Sequence, residues 1–142
     1  MGIAPLQWPE FYHRATKVQR FLADMPIVGM YFRIRKVFRR ELKNRTYNAL
    51  DSWENNPGKL KCISIVSPLI KDYFHWPNCY FIPDDPCEIL FWRPQVGYDD
   101  LSGQEFASVL IDEFSLPEDF FEDYNKLTYS QFIEKIIKHI EG

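Results

Sequence analysis

The chain is poor in the residues that build metal centres and disulfide scaffolds. Its three cysteines, Cys62, Cys79 and Cys87, are odd in number and form no Cys-x-x-Cys pair, which argues against a disulfide framework or a zinc ribbon and for a reducing compartment. Histidine is limited to His13, His75 and His139. The one Cys/His pair at helical ligand spacing, His75 with Cys79, is interrupted by Pro77, which breaks the helix a metal site would need. The same aromatic-rich stretch offers no oriented third group for a Cys–His nucleophile. Glycine is sparse, and Gly29, Gly58, Gly97 and Gly103 stand isolated, so no glycine-rich loop exists to cradle a phosphate. The uncharged apolar run at 25–32 is too short for a membrane span and too far inside for a secretory core. Leu6 occupies the place where a myristoylation signal has Ser or Thr. A cytoplasmic location is expected, with neither internal repeats nor low-complexity tracts.

What the chain has in quantity is aromatic residues, 17% of 142. A chain of this length buries roughly two-thirds of its unfolded surface on folding, so large rings must fill much of the core. Charge is divided unevenly along it. Residues 1–60 hold 11 Lys or Arg against 5 Asp or Glu, and residues 61–142 hold 6 against 15, within a net charge of -3. The two halves are electrostatically opposite, so they dock on each other or face separate partners.

Periodicity predicts helices throughout. A first helix is expected over 9–24, opened by Pro9 and carrying Phe11, Ala15, Val18 and Leu22 at helical spacing, and closed by Pro26. A second, basic and amphipathic, is expected over 27–46, with Val28, Tyr31, Phe38 and Leu42 on one side and Arg33, Lys36, Arg40 and Lys43 on another. Together they predict a helical hairpin, closed by a polar linker at 51–58. Ser67-Pro68 reads as an N-cap and first residue of a short helix to about residue 75, with residues 62–67 as a brief strand in the alternative. Pro77, Pro83, Pro86 and Pro94 exclude a long helix from 76–98. Within that loop, Asp84-Asp85-Pro86 is read as the cap of one short turn ending near Trp92, in preference to a carboxylate pair for acid–base work or a hard cation. Three capping boxes follow: Ser102 with Glu105, Ser115 with Glu118, and Thr128 with Gln131.

From Ser67 onward the order is helix, long loop, helix, short helix, helix. The stretch 98–114 resembles the second helix of an acyl carrier protein, and the continuation through Leu116-Pro117-Glu118-Asp119, Lys126-Leu127-Thr128 and residues 132–136 is similar to that family's third and fourth helices. The resemblance implies an Asp-Ser-Leu serine bearing a phosphopantetheine arm. Here the matching residues are Asp99, Asp100 and Leu101, so Asp100 stands where that serine would be, and a carboxylate offers no hydroxyl for phosphoryl transfer. Ser102 is the alternative attachment point, although its capping position gives its oxygen a helix amide to accept from. The family further implies an acidic second helix docking on basic partner surfaces, a role that falls here to Asp99, Asp100, Glu105, Asp112 and Glu113.

The expectation is an all-α protein. A basic helical extension over 1–58 precedes an acidic, acyl-carrier-like helical domain over 59–142, with a long loop after that domain's first helix. Its expected core is Leu69, Tyr73, Phe106, Leu110, Phe114, Phe132, Ile136 and Ile140. The expected function is non-catalytic protein recognition of a partner with a basic surface, without cofactor or metal. The alternatives are a true acyl or peptidyl carrier modified at Ser102 and an immunity- or antagonist-type binding protein. For the basic helix, where Arg35 and Arg39 extend the patch, packing on the acidic half ranks first and a protein partner second. An anionic membrane surface or nucleic acid ranks third, because the whole chain is acidic, with pI 5.6.

Overall fold

The computed structural model describes residues 3–8, 29–53, 56–92 and 102–141, with backbone only at 29–32 and 102. The helix expected over 9–24, and hence the hairpin it would form, lies outside the described residues. The fold is all-α. Its elements are α1 (Gly29–Asn44), a 3-10 turn (Tyr47–Ser52), α2 (Pro57–Phe74), α3 (Cys87–Leu90), α4 (Ser102–Phe114), 3-10 turns at Glu118–Phe121 and Tyr124–Lys126, and α5 (Tyr129–Glu141). A lone antiparallel bridge joins Pro86 and Thr128.

α1 buries Ile34, Phe38 and Leu42, each one turn from the next, and leaves Arg33, Lys36, Arg40 and Lys43 exposed. It stops two residues short of the expected Thr46, because the Thr46 hydroxyl instead accepts the Asn48 N–H at 3.3 Å and caps the following 3-10 turn. The polar linker contains a buried anchor: the Trp53 indole donates to the Phe81 carbonyl at 3.0 Å and packs edge-on to Tyr129 at 5.2 Å.

α2 corrects the reading of Ser67-Pro68. The helix starts eleven residues earlier, where the Asn56 side chain accepts the N–H groups of Gly58 at 2.9 Å and Lys59 at 3.2 Å and Pro57 takes the first turn. It also replaces the strand considered at 62–67. An interior proline costs about 3 kcal/mol. Burial of Ile63, Val66, Ile70 and Phe74 contributes about 1.5–3 kcal/mol for each side chain and outweighs that cost. Ser67 does not cap; its hydroxyl sits 2.6 Å from the Tyr129 hydroxyl inside the core.

Both α2 and α4 end on a left-handed residue that is not glycine, His75 (φ 57°) and Ser115 (φ 54°). In each case the next N–H reaches back five residues, Trp76 to the Lys71 carbonyl and Leu116 to the Ile111 carbonyl, both at 3.0 Å. Ser115 therefore terminates α4 and does not open a capping box with Glu118; the 3-10 turn that follows is preceded by Pro117 and has no side-chain cap. The third box is present, with Gln131 N–H to Thr128 Oγ1 at 3.2 Å and Thr128 N–H to Gln131 Oε1 at 2.9 Å. The side chain of Ser102, and with it the first box, lies outside the described residues.

One hydrophobic cluster runs from Leu6 and the α1 residues through α2, α3, α4 and α5. Phe91, Phe106, Phe120, Phe121 and Phe132 form its ring network, with centroid separations of 5.1 Å for Phe91–Phe106 and 5.2 Å for Phe91–Phe132. Phe106, Leu110, Phe132 and Ile136 are buried as expected. Leu69, Tyr73 and Phe114 only pack against the cluster from outside, because the buried stripe of α2 runs through Cys62, Val66, Ile70 and Phe74 and that of α4 through Phe106 and Leu110. Ile140 is 56% exposed.

Candidate recognition surface

α4 is anchored by Phe106 and Leu110 and turns Glu105, Asp112 and Glu113 to solvent. It contains no Lys or Arg. Among the described residues no cation pairs with these three acids. Asp112 and Glu113 occupy the last turn, where the free carbonyls already carry partial negative charge; an acid there costs about 0.3–1 kcal/mol. Helix stability does not account for them. Exposed Glu118, Asp119 and Glu122 continue the acidic surface, while Asp123 is held by Lys135 Nζ at 2.8 Å. That ammonium, which also donates to the Phe120 carbonyl at 2.6 Å, draws the Asp123 carboxyl below its ordinary range by hydrogen bonding. Asp99 and Asp100, expected beside this face, lie outside the described residues.

The basic helix divides its charges. Arg33, Lys36, Arg40 and Lys43 stay on the outer face of α1. Arg35 is buried, lies 4.2 Å above the Trp76 ring and donates to the Phe74 carbonyl and, at 3.2 Å, to the His75 carbonyl. Arg39 also donates to the His75 carbonyl. Both guanidiniums thus meet the carbonyl-rich C-terminal end of α2, and Arg35 also donates to the Trp92 carbonyl at 3.4 Å. α1 does pack on the acidic half, but through this helix end and through Phe38 against the Trp76 and Trp92 rings, with Arg45 just beyond it on Asp85, not through the acids of α4.

Asp85 corrects the capping expectation at Asp84-Asp85-Pro86. It is fully buried and forms a two-pronged pair with Arg45, Nη1 to Oδ2 at 2.7 Å and Nη2 to Oδ1 at 2.9 Å. The same carboxylate accepts the Leu6 and Ile82 N–H groups, each at 2.9 Å. α3 instead starts behind Pro86 without a side-chain cap. Asp84 is exposed. The pair is a structural junction, and the open cavity of about 590 Å³ beside Arg45 is lined by a guanidinium already committed to Asp85.

No known protein family, curated protein or solved structure matches this chain.

Burial pushes all three thiols up, Cys62 to about 11, and Asp85 adds to the effect at Cys87. None is poised as a thiolate near neutral pH. His75 and Cys79 are set apart by the left-handed end of α2 and the turn after it, where Asn78 Nδ2 donates to the Leu42 carbonyl at 2.7 Å. Among the described residues no three His, Cys, Asp or Glu side chains converge on a point where a metal ion would sit, and no helix is long and apolar enough to cross a membrane.

Sequence periodicity missed one feature. Beside Glu113 lies a groove of about 330 Å³, lined by Cys62 and Ile65 of α2, Phe114 of α4, and Ile137 and Ile140 of α5. The signal was the apolar stripe of α5, which continues to Ile140 beyond the point where neighbouring helices cover it.

Proposed function

We propose that the chain is a non-catalytic protein-recognition module, resembling an acyl carrier protein without its prosthetic group, that docks through the acidic face of α4 on a basic surface of a partner protein. The observation that carries this reading is the placement of Asp112 and Glu113: exposed, without a cation partner among the described residues, and set against the dipole of their own helix. Charges placed against helix stability have their use in an encounter with opposite charge, which they speed and orient. The described order α2, α3, α4, 3-10 turns, α5 supports the carrier-like part of the reading.

The test is charge reversal. Asp112→Lys with Glu113→Lys weakens capture of a protein partner at low salt while raising chain stability by about 1 kcal/mol or more, because at each of the two positions a cost of about 0.3–1 kcal/mol becomes a gain of similar size. Capture that is unchanged rejects this face. Intact mass after co-expression with a phosphopantetheinyl transferase addresses the carrier: no added mass is expected, and an addition that disappears in Ser102→Ala overturns the proposal.

A further inference from the structure

We infer that the groove at the ends of α4 and α5 seats a basic amphipathic helix supplied by the partner. The inference rests on the acidic-recognition reading above and names its anchor. Ile140 is the first observation. On α5, Ile133 and Ile136 are fully buried, yet Ile140 holds 56% of its surface in water at the groove edge. Phe114 and Ile137 beside it are only partly covered. The apolar patch therefore continues the core outward and stops uncovered.

Charge selects the occupant. Glu113 from α4 and Glu141 from α5 stand among the lining residues, with Lys61 from α2 the one cation among the described residues there. α4 and α5 both end at this groove and contribute the negative ends of two helices, against the single N-terminal turn of α2 at Gly58. His139 ties the two ends together, its Nε2–H donating to the Ser115 carbonyl at 2.8 Å. An apolar trough between acidic edges fits a helix with an apolar stripe at i, i+3, i+4 and i+7 flanked by Lys or Arg. Docking of a second copy through this same face or through its α1 is disfavoured: the same face would bring Glu113 and Glu141 against like charge, and the apolar stripe of α1 (Ile34, Phe38 and Leu42) is already buried.

The probe is a synthetic helix of about five turns built of Leu and Lys, compared with the same Leu pattern in Leu and Glu. Methyl NMR of the full chain reads the site, and fluorescence anisotropy reads the affinity. The Leu/Lys peptide is expected to shift Ile65, Ile137 and Ile140 and to bind at least about ten-fold more tightly than the Leu/Glu peptide. Ile140→Asp, a change at an exposed position that leaves the circular dichroism intact, is expected to reduce binding about ten-fold or more. Equal binding of the two peptides, shifts confined to α1, or full affinity in Ile140→Asp overturns the groove. Should Glu105→Lys with Asp112→Lys weaken binding while Ile140→Asp does not, the groove falls and acidic recognition by α4 stands. Loss with Ile140→Asp alone supports the groove and removes the wider acidic face from the docking.

Discussion

Arg45 and Asp85 lie 40 residues apart in sequence and meet as a buried, two-pronged ion pair, 2.7 and 2.9 Å across its two contacts. Around it, Arg45 also donates to the Tyr80 carbonyl at 2.9 Å and the Ala4 carbonyl at 3.1 Å, so one pair fastens the N-terminal segment, the end of α1 and the loop before α3. Removing one member strands the other in a dry site. Asp85→Ala is expected to cost about 3–5 kcal/mol in denaturant unfolding, whereas Asp84→Ala, at an exposed position, stays within about 0.5 kcal/mol. Equal effects would deny the pair its structural role.

The left-handed end of α4 predicts a stabilising substitution. Ser115 spends conformational energy at φ 54° that glycine would not, and its contacts to α5 run through its backbone carbonyl, which glycine retains. Ser115→Gly is expected to raise stability by about 0.5–1 kcal/mol, the balance of the left-handed strain and the added chain entropy of glycine. A lowered thermal midpoint would show that the hydroxyl, not the backbone, sets this turn.

The thiols should react in order of burial. Cys79 is partly exposed, whereas Cys62 and Cys87 are buried, and a thiol pushed up to about 11 is ionised in only roughly one molecule in a thousand at pH 8. Iodoacetamide followed by peptide mass mapping should mark Cys79 first, and Cys62 and Cys87 only after denaturation. Early labelling of Cys87 would contradict the packing around α3.

Acid should loosen the hold of Lys135 on the segment before α5. Hydrogen bonding by Lys135 lowers the Asp123 carboxyl from its ordinary 3.8, so its contribution to stability is complete above that value and is lost as pH falls through the lower, folded one. Asp123→Asn should therefore be less stable than the parent near neutrality, with the difference closing in strong acid. A gap that widens below pH 3.8 would reverse the sign of the coupling.

Local grammar was legible where both partners of a contact lie within one turn. Thr128 and Gln131 form the box their spacing requires, and the acids of α4 fall on its outer face because Phe106 and Leu110 fix the inner one. Asn56-Pro57 and Ser67-Pro68 carry nearly the same start signal, and only the burial of Ile63 and Val66 ahead of Ser67, whose hydroxyl meets that of Tyr129, decides between them. At Ser115 the spacing of a capping box and a left-handed helix end fall on the same residue, and the two differ in φ, which spacing does not encode.

By itself the sequence determined the all-α class, the basic outer face of α1, the acidic face of α4 and the apolar stripe of α5, since each follows from the 3.6-residue repeat of a single helix. Only tertiary structure decided that Pro68 lies inside a helix, that Asp85 answers Arg45, that Arg35 turns inward and that Ile140 is left uncovered. Those outcomes depend on which surfaces meet across long stretches of chain, and the free energy of burial and pairing arises only once they do.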